Sequence, residues 1–299
     1  MKPHYPPSMD RVKEEVELHL KKDNNLANLF EVYKGILAVQ LDYLNKIDAT
    51  VNLSEEEIKE CFRNEKFLMS DNKMKIDTKL FRELLSSVCE AVNEKSPEAP
   101  ASLLVLPEAD EFKEENIKKF LQEIALFSKQ ELEKFIEETE MDKRTGLNSE
   151  IISFVILMSL SPFYSSNMKE VREKTDFTLW RQSYCPVCGQ TAVIARHRNE
   201  DGARILECWL CHAEWVFPRM ECPYCSNKDQ KKLRFFYVPG DKARQVHVCE
   251  SCKKYLKTID NKLMETDVLL DIEAIATGYL DMLAKKEGYI LPVETAVLN

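Results

Sequence analysis

Apolar side chains recur at helical spacing through the first 178 residues of the 299-residue chain. The longest run has steps of three and four residues, at Leu26, Leu29, Phe30, Tyr33, Leu37, Leu41 and Leu44. This spacing predicts one long amphipathic helix. Similar periods cover residues 80–92, 117–127 and 151–160. With only 7 glycines for tight turns, the chain is expected to be mostly helical.

Polar residues and prolines mark where several of these helices begin and end. Ser54 and Glu57 form a Ser-x-x-Glu capping box, and Asp77 stands at an N-cap position. Pro162 is expected to end the apolar helix that covers residues 151–160, because proline cannot donate the next helical hydrogen bond. A separate short helix is predicted over residues 168–174.

The pattern changes at about residue 178. Short β-like runs replace the helical period, and they read TAVIAR, ARILECW, LRFFYVP and RQVHVC. Helical spacing returns after Lys262, between Val268 and Leu283, and that helix is expected to pack back onto the first domain.

The eight cysteines of the β-like region form four Cys-x-x-Cys pairs. They are Cys185/Cys188, Cys208/Cys211, Cys222/Cys225 and Cys249/Cys252. Two intervening residues let a tight turn aim both sulfurs at one point, as a tetrahedral metal site requires. The other two cysteines, Cys61 and Cys89, lie in helical segments and are predicted to be small core residues.

A repeated pattern suggests which pairs share a metal ion. A Cys-Pro-x-Cys pair leads each half, and a pair without proline closes it. We therefore assign the first two pairs to one site and the last two pairs to another. A β-hairpin fits within each long gap between paired motifs. The interleaved alternative, in which the first and third pairs share a metal, stays open.

These assignments predict a multidomain α+β fold. It comprises a helical domain (1–178), two tandem rubredoxin-like or zinc-ribbon modules (179–218 and 219–262), and a C-terminal helix (263–299) packing on the helical domain. Two metal ions per chain are expected, and all-thiolate sites accept either iron or zinc. Because four-thiolate sites leave no position for a substrate, we expect a structural role and no enzymatic activity.

Histidines and aromatic residues near the cysteines have two interpretations. His197, His212 and His247 lie near the cysteines. His212 or His247 can replace a cysteine ligand or form a hydrogen bond to a sulfur, although eight thiols already suffice for two sites. The aromatic residues are expected to form the small core of the modules, with a partner-binding patch as the alternative. This set comprises Trp209, Trp215, Phe217, Phe235, Phe236 and Tyr237.

Charge and hydropathy narrow the functional classes. The net charge is −9, although residues 185–262 carry 14 Lys and Arg against 9 Asp and Glu. The longest apolar run, residues 151–160, is too short to span a bilayer. The N-terminus has no apolar stretch typical of an export signal. We expect a cytoplasmic protein without membrane insertion.

Four motifs with their flanking residues resemble the formate dehydrogenase accessory protein family, FdhE. They are WRQSYCPVCGQTAV, RILECWLCHAEW, MECPYCS and VCESCKKYLKTID, followed by IEAIATGYLDMLAKKEGY near the C-terminus. The resemblance implies a helical domain with two rubredoxin-like modules, iron as the metal, and the eight paired cysteines as its ligands. It also implies a cytoplasmic maturation factor that contacts the molybdenum- or tungsten-containing catalytic subunit of formate dehydrogenase.

Two further functional classes stay open beside this resemblance. A rubredoxin-like electron carrier would use the same cysteines. A tandem zinc-ribbon nucleic-acid-binding protein would use the basic residues of the modules against phosphates. Those residues are Arg196, Arg198, Arg204, Lys231, Lys232, Arg234, Lys253 and Lys254. The overall negative charge makes nucleic acid the less expected partner.

Overall fold

The computed structural model describes residues 5–49, 51, 53–70, 75–124, 128–175, 177–264 and 266–291. The end of the predicted helical period at 125–127 lies outside these residues. Ten α-helices occur in the described part of the chain. They are α1 (Met9–Leu20), α2 (Ala27–Leu44), α3 (Glu55–Arg63), α4 (Thr78–Lys95), α5 (Ile117–Ile124), α6 (Lys129–Glu138), α7 (Met141–Thr145), α8 (Ser149–Lys174), α9 (Leu270–Ala276) and α10 (Gly278–Lys286).

The predicted helix starts are confirmed by their hydrogen bonds. The Ser54 side chain accepts from the Glu57 backbone N–H, while the Glu57 carboxylate accepts from the Ser54 backbone N–H, which completes the capping box of α3. Asp77 accepts from the Leu80 backbone N–H at 2.9 Å and caps α4. These caps depend only on neighbouring residues, so the sequence is sufficient to locate them.

The prediction that Pro162 ends a helix is wrong. Helix α8 runs without a break from Ser149 to Lys174 and includes the segment predicted as a separate helix. Proline removes the N–H that would bond the Met158 carbonyl four residues earlier. The Gln40 side chain of α2 supplies the missing donor, with its Nε2 2.8 Å from the Met158 oxygen. Tertiary packing therefore compensates for the lost helical bond.

Helix α8 is the central element of the helical body and packs against α2, α4 and α6. It is long and apolar enough to cross a membrane, but 78% of its apolar window is buried inside the protein. Its apolar residues belong to the same core as Phe30, Phe81, Leu84 and Leu132 of the neighbouring helices. The burial is that expected of a core helix.

In the described ranges, six strands form one sheet. They are β1 (Ile194–His197), β2 (Arg204–Glu207), β3 (Glu214–Phe217), β4 (Leu233–Tyr237), β5 (Arg244–Cys249) and β6 (Tyr255–Asp260). The strand order is β3-β2-β1-β6-β5-β4, and each half is an antiparallel meander. Both predicted hairpins occur, β1–β2 and β4–β5.

The two halves of the sheet are joined edge to edge, so the two cysteine modules share one continuous sheet. Strands β1 and β6 pair in parallel, with Ile194 opposite Lys257 and His197 opposite Asp260. This pairing joins residues about 60 positions apart, so no local pattern in the sequence announces it.

The single predicted C-terminal helix is two helices that lie on different surfaces. Helix α9 contacts α1 and β1, and the Glu15 carboxylate of α1 accepts from the Leu269 backbone N–H just before α9. Helix α10 packs on β5 and β6 instead, with Leu280 and Ala284 buried against Val246 and Tyr255. Helix α9 thus packs on the helical body, and α10 packs on the sheet.

Candidate metal centres

The four Cys-x-x-Cys loops share one backbone pattern. In each loop the first cysteine donates its N–H to the carbonyl five residues later. It also accepts at its own carbonyl from the N–H four residues later. The pairs are Cys185 with Gln190 and Gly189, Cys208 with Ala213 and His212, Cys222 with Asn227 and Ser226, and Cys249 with Lys254 and Lys253. The repeat shows that all four motifs fold as the same tight knuckle.

Each knuckle closes through a residue in the left-handed region. These residues are Gly189 (φ 80°), His212 (φ 58°), Ser226 (φ 55°) and Lys253 (φ 57°). Only the first loop uses glycine, which adopts this conformation without a steric penalty. A Cβ at Gly189 would also lie 2.8 Å from a ring carbon of Phe67. Both the positive φ and this contact therefore exclude a larger residue here.

The sulfurs converge in the two sets of four that the repeated pattern indicated. In the first set, Cys185 Sγ lies 3.4 Å from Cys211 Sγ, and Cys188 Sγ lies 3.4 Å from Cys208 Sγ. In the second set, the Cys222–Cys252 and Cys225–Cys249 sulfur distances are 3.7 and 3.6 Å. All four ligand atoms of each set lie within 4.8 Å of one another.

These distances fit a tetrahedral metal ion. Four sulfurs at about 2.3 Å from a metal are about 3.8 Å apart at tetrahedral angles. A disulfide would need about 2.05 Å between sulfurs, and all ten cysteines are free. The two clusters can therefore hold two metal ions, whereas their geometry does not distinguish iron from zinc.

The two sites differ in exposure. All four cysteines of the first site are buried, and they are part of the core shared with the helical body. In the second site Cys222 and Cys249 are buried, Cys252 is half-buried and Cys225 is exposed. Solvent and small molecules therefore reach the second site far more easily than the first.

The thiols of each site perturb one another. Burial acts to raise the pKa of Cys185, but hydrogen bonds from the other three thiols outweigh it and lower that pKa well below its usual range. Burial raises the pKa of Cys188 and of Cys211. In the second site a hydrogen bond from Cys222 lowers the pKa of Cys252 to about 5. Four thiolates this close need a cation to ionise together.

The helical body holds both knuckles of the first site. The Leu68 and Met69 N–H groups donate to the carbonyls of Pro186 and Val187 in the first knuckle, at 2.9 and 3.1 Å. Ser161 of α8 donates its hydroxyl to the Leu210 carbonyl in the second knuckle at 2.7 Å. The first site therefore lies at the junction between the helices and the sheet.

A third cluster was not expected from the sequence. His212 Nδ1 lies 3.3 Å from Asp271 Oδ2 and 3.7 Å from Glu207 Oε1, and Tyr5 stacks on the imidazole. Burial raises the pKa of Glu207 to about 7. Asp271 lies in α9, so only the fold brings it next to His212 and Glu207. His212 is not part of the four-sulfur set.

The remaining candidate residues are distributed as follows. Cys89 is buried in the helical core and Cys61 is half-buried beside it. His197 and His247 lie together on the sheet with ring centroids 5.4 Å apart and belong to neither cluster. Trp215 and Phe217 are core residues as expected, whereas Phe235 is 55% exposed.

The fold and sites define a class of metal-binding protein, in which a helical body carries a sheet with two zinc-ribbon-like four-cysteine sites. Comparisons with known proteins point to one family. The family model described as "FdhE, central domain" matches residues 184–219, which contain the first four-cysteine site. The chain is 29% identical over 150 residues to an FdhE homolog of Aquifex aeolicus, and 33% identical over 127 residues to one of Stutzerimonas stutzeri.

The matched segments cover 48% and 41% of this chain, and 51% and 39% of those relatives. The chain thus matches about half of their length or less. A crystal structure of the FdhE protein from Pseudomonas aeruginosa has the same fold, with a TM-score of 0.60 and 20% sequence identity. That similarity covers 95% of this chain and 94% of the other. The resemblance to the FdhE family that the cysteine motifs indicated is confirmed.

Proposed function

We propose that this chain is a non-enzymatic accessory protein that binds the catalytic subunit of a molybdenum- or tungsten-containing formate dehydrogenase during its maturation in the cytoplasm. The observation that carries the proposal is the pair of four-sulfur clusters, set on a fold that matches an FdhE protein over nearly the whole chain. The motifs around the cysteines connect that fold to the accessory protein family.

The proposed role of the metal ions is structural. Cys185, Cys188, Cys208 and Cys211 would hold one iron or zinc ion, and Cys222, Cys225, Cys249 and Cys252 the other. Four thiolate ligands fill a tetrahedral ion, so neither site offers a position at which a substrate could bind. The first ion would fasten the sheet to the helical body, which fixes the surface offered to a partner.

A deletion and complementation experiment tests this function. Deleting the gene in its host should abolish formate oxidation by the respiratory enzyme, and the wild-type chain should restore it and co-purify with the catalytic subunit. Cys208→Ser should fail to restore activity. Cys61→Ser is the matched control, because Cys61 lies outside both clusters and should behave as wild type. Normal formate oxidation in the deletion strain would contradict the proposal.

One observation favours electron transfer as a second candidate function. Cys225 is exposed and Cys252 is half-buried, so a redox-active iron in the second site would lie near the surface. A reversible one-electron couple in the iron-loaded protein, lost in Cys225→Ser and retained in Cys61→Ser, would support an electron carrier. Protein that is colourless and loaded with zinc as isolated from its host would exclude it.

The contacts argue against the nucleic-acid alternative. Arg196 is buried and paired with Glu214, and Arg198 pairs with Asp201 at 2.6 Å. Arg204 is buried and bonds backbone carbonyls. These three of the eight basic residues are engaged by the protein's own groups, which interrupts a continuous cationic surface toward phosphates.

A further inference from the structure

A cavity of about 300 Å³ lies on the face of the sheet beside the second cysteine site. Side chains two residues apart on a strand share a face. The β4–β5 register places Phe235 opposite His247 and Tyr237 opposite Gln245 on this face. The opposite face carries Val246, which is buried against α10. No α-helix of the described residues contributes a side chain to the lining of the cavity.

Aromatic rings form a row that leads from the surface into this cavity. Tyr237 and Phe235 have ring centroids 6.5 Å apart, Phe235 stacks on His247 at 5.4 Å, and His247 meets His197 at 5.4 Å. Phe235 and Tyr237 are 55% and 38% exposed, while His197 is buried. The row offers a planar or apolar group a surface to stack on at the entrance and a polar end inside.

The inner end contains a histidine that the protein does not satisfy. His197 is 2% exposed and lines the cavity, yet neither of its ring nitrogens has a hydrogen-bond partner among the described residues. Buried polar groups are normally hydrogen-bonded, and leaving one without a partner costs stability. Burial, followed by the Arg219 and Arg204 charges, lowers the pKa of His197 to about 4. The neutral ring offers one N–H donor near neutral pH.

A buried cation stands opposite this histidine. Arg204 pairs with His197 across β1 and β2 and is 4% exposed. Its terminal nitrogens donate to the carbonyls of Pro218, Arg219 and Glu221, and its Nε has no hydrogen-bond partner among the residues with described positions. In the described part of the chain this charge therefore has carbonyl partners and no hydrogen-bonded carboxylate. A buried charge of this kind favours an anion nearby.

The other charged residues of the lining determine how much negative charge the bound anion can carry. Asp260 and Glu221 also line the cavity, and Glu221 pairs with Lys228 at 3.5 Å. Cys222 and Cys249 border it as well, and a four-thiolate site with a divalent ion would carry two negative charges. The cations Arg219, Arg234 and Lys254 line the cavity too, and Arg234 pairs with Glu250, so the lining together with a loaded cysteine site is close to neutral. A singly charged anion disturbs this balance less than a doubly charged phosphate.

We propose that the cavity binds a carboxylate, with its oxygens toward His197 and Arg204 and its attached planar or apolar group on Phe235. The carboxylate comes either from a free small acid or from an acidic side chain of a polypeptide. Both sources present the same carboxylate to His197 and Arg204 at the inner end of the cavity. They differ in the part of the ligand that extends past the cavity entrance. This binding site does not depend on the proposed function in maturation.

Calorimetric titration of the metal-loaded full chain tests the proposal. Benzoate should bind saturably and at least tenfold more tightly than neutral benzamide, because only benzoate offers a negative charge to Arg204. His197→Leu should weaken benzoate binding about tenfold without lowering the melting temperature, since its ring forms no hydrogen bonds with the residues that the structure describes. Phe235→Ala, at the exposed entrance, should weaken binding and leave folding intact. Arg198→Gln is the matched control, because Arg198 is absent from the cavity lining and pairs with Asp201.

A second pair of probes separates the two sources. Acetyl-Phe-Glu-amide and acetyl-Phe-Gln-amide differ only in one negative charge. Tighter binding of the glutamate peptide than of benzoate identifies a polypeptide source, and the reverse identifies a small acid; both outcomes support the site. Equal binding of benzoate and benzamide would overturn it, as would unchanged benzoate affinity in His197→Leu. Binding of phosphate or single-stranded DNA, with none of the carboxylates bound, would also overturn it.

Discussion

At the scale of single residues, the four knuckles give the clearest energetic argument. All four need a left-handed residue at the same place, but only the first has glycine there. A left-handed conformation costs a residue with a side chain about 1–2 kcal/mol. We expect Ser226→Gly to raise the free energy of unfolding by about 0.5–1 kcal/mol. This gain is smaller than the strain that the change relieves, because glycine also loses more backbone entropy on folding. Urea unfolding of the metal-loaded protein measures it.

The reverse change at the first knuckle should be harmful. Gly189→Ala introduces a Cβ at φ 80° and 2.8 Å from the Phe67 ring. We expect a loss of at least about 2 kcal/mol, from backbone strain together with the overlap. Gly240→Ala is a control that shares the positive φ but has nothing within 4 Å of the added Cβ. Equal losses at the two positions would show that crowding at Phe67 has no effect.

At the scale of elements, a buried ion pair fastens α9 to the sheet. Arg244 of β5 donates two hydrogen bonds of 2.7 Å to Glu273, and His19 of α1 approaches the same carboxylate at 3.2 Å. Removing one partner of a buried pair costs about 3–5 kcal/mol, because the other charge stays buried. We expect Glu273→Gln to lose about 3 kcal/mol in the free energy of unfolding. Asp42→Asn, which breaks the exposed Lys46 pair, should change it by less than about 0.5 kcal/mol.

The same pair predicts a pH dependence. Burial acts to raise the pKa of Glu273, but hydrogen bonds from His19 and Arg244 outweigh it and the pKa is lowered. A carboxylate with a lowered folded-state pKa adds stability that is full above its unfolded pKa of about 4.3 and declines as the pH falls through the folded value. The stability difference between wild type and Glu273→Gln should therefore shrink below about pH 4. A difference that grows on acidification would contradict the argument.

The hydrogen bond from Gln40 to helix α8 at Pro162 can also be tested by substitution. Gln40→Leu removes the donor that satisfies the Met158 carbonyl at Pro162, and an unsatisfied buried carbonyl costs about 1–3 kcal/mol. Pro162→Ala restores a backbone N–H that can bond that carbonyl. The double variant should therefore recover most of the loss, and a double-mutant cycle of unfolding free energies measures the coupling. Strictly additive losses would show that the two residues act independently.

At the scale of the whole molecule, the sequence predicts what depends on neighbouring residues. The capping box at Ser54, the hairpins β1–β2 and β4–β5, and the cysteine knuckles all follow from short spacings. The β1–β6 pairing and the cluster of His212 with Asp271 join distant segments, and no period or motif encodes such contacts. The continuous α8 was missed for the same reason, since its compensating donor comes from another helix.

The cavity beside the second site is likewise formed by segments that are distant in the sequence. His247 lies two residues before Cys249 in the sequence, and His197 lies between Cys188 and Cys208. The structure places their rings 5.4 Å apart in the lining of one cavity, beside the second sulfur cluster but in neither cluster. A histidine near a cysteine motif can therefore belong to a different site that the fold creates.

The unequal burial of the two metal sites predicts that metal leaves the molecule in two steps. Cys225 and Cys252 are accessible to solvent, whereas the first site is enclosed by the core and fastened by Leu68, Met69 and Ser161. A chelator should remove one metal ion per chain at least tenfold faster than the other, because release of the buried ion requires the junction between helices and sheet to open. Metal release and circular dichroism, followed together, should show the first step without loss of helix and the second with it. Cys225→Ser should abolish only the fast step, and Cys61→Ser should change neither. Simultaneous release of both ions would mean that the shared sheet couples the sites, so that opening at one end unfolds the other.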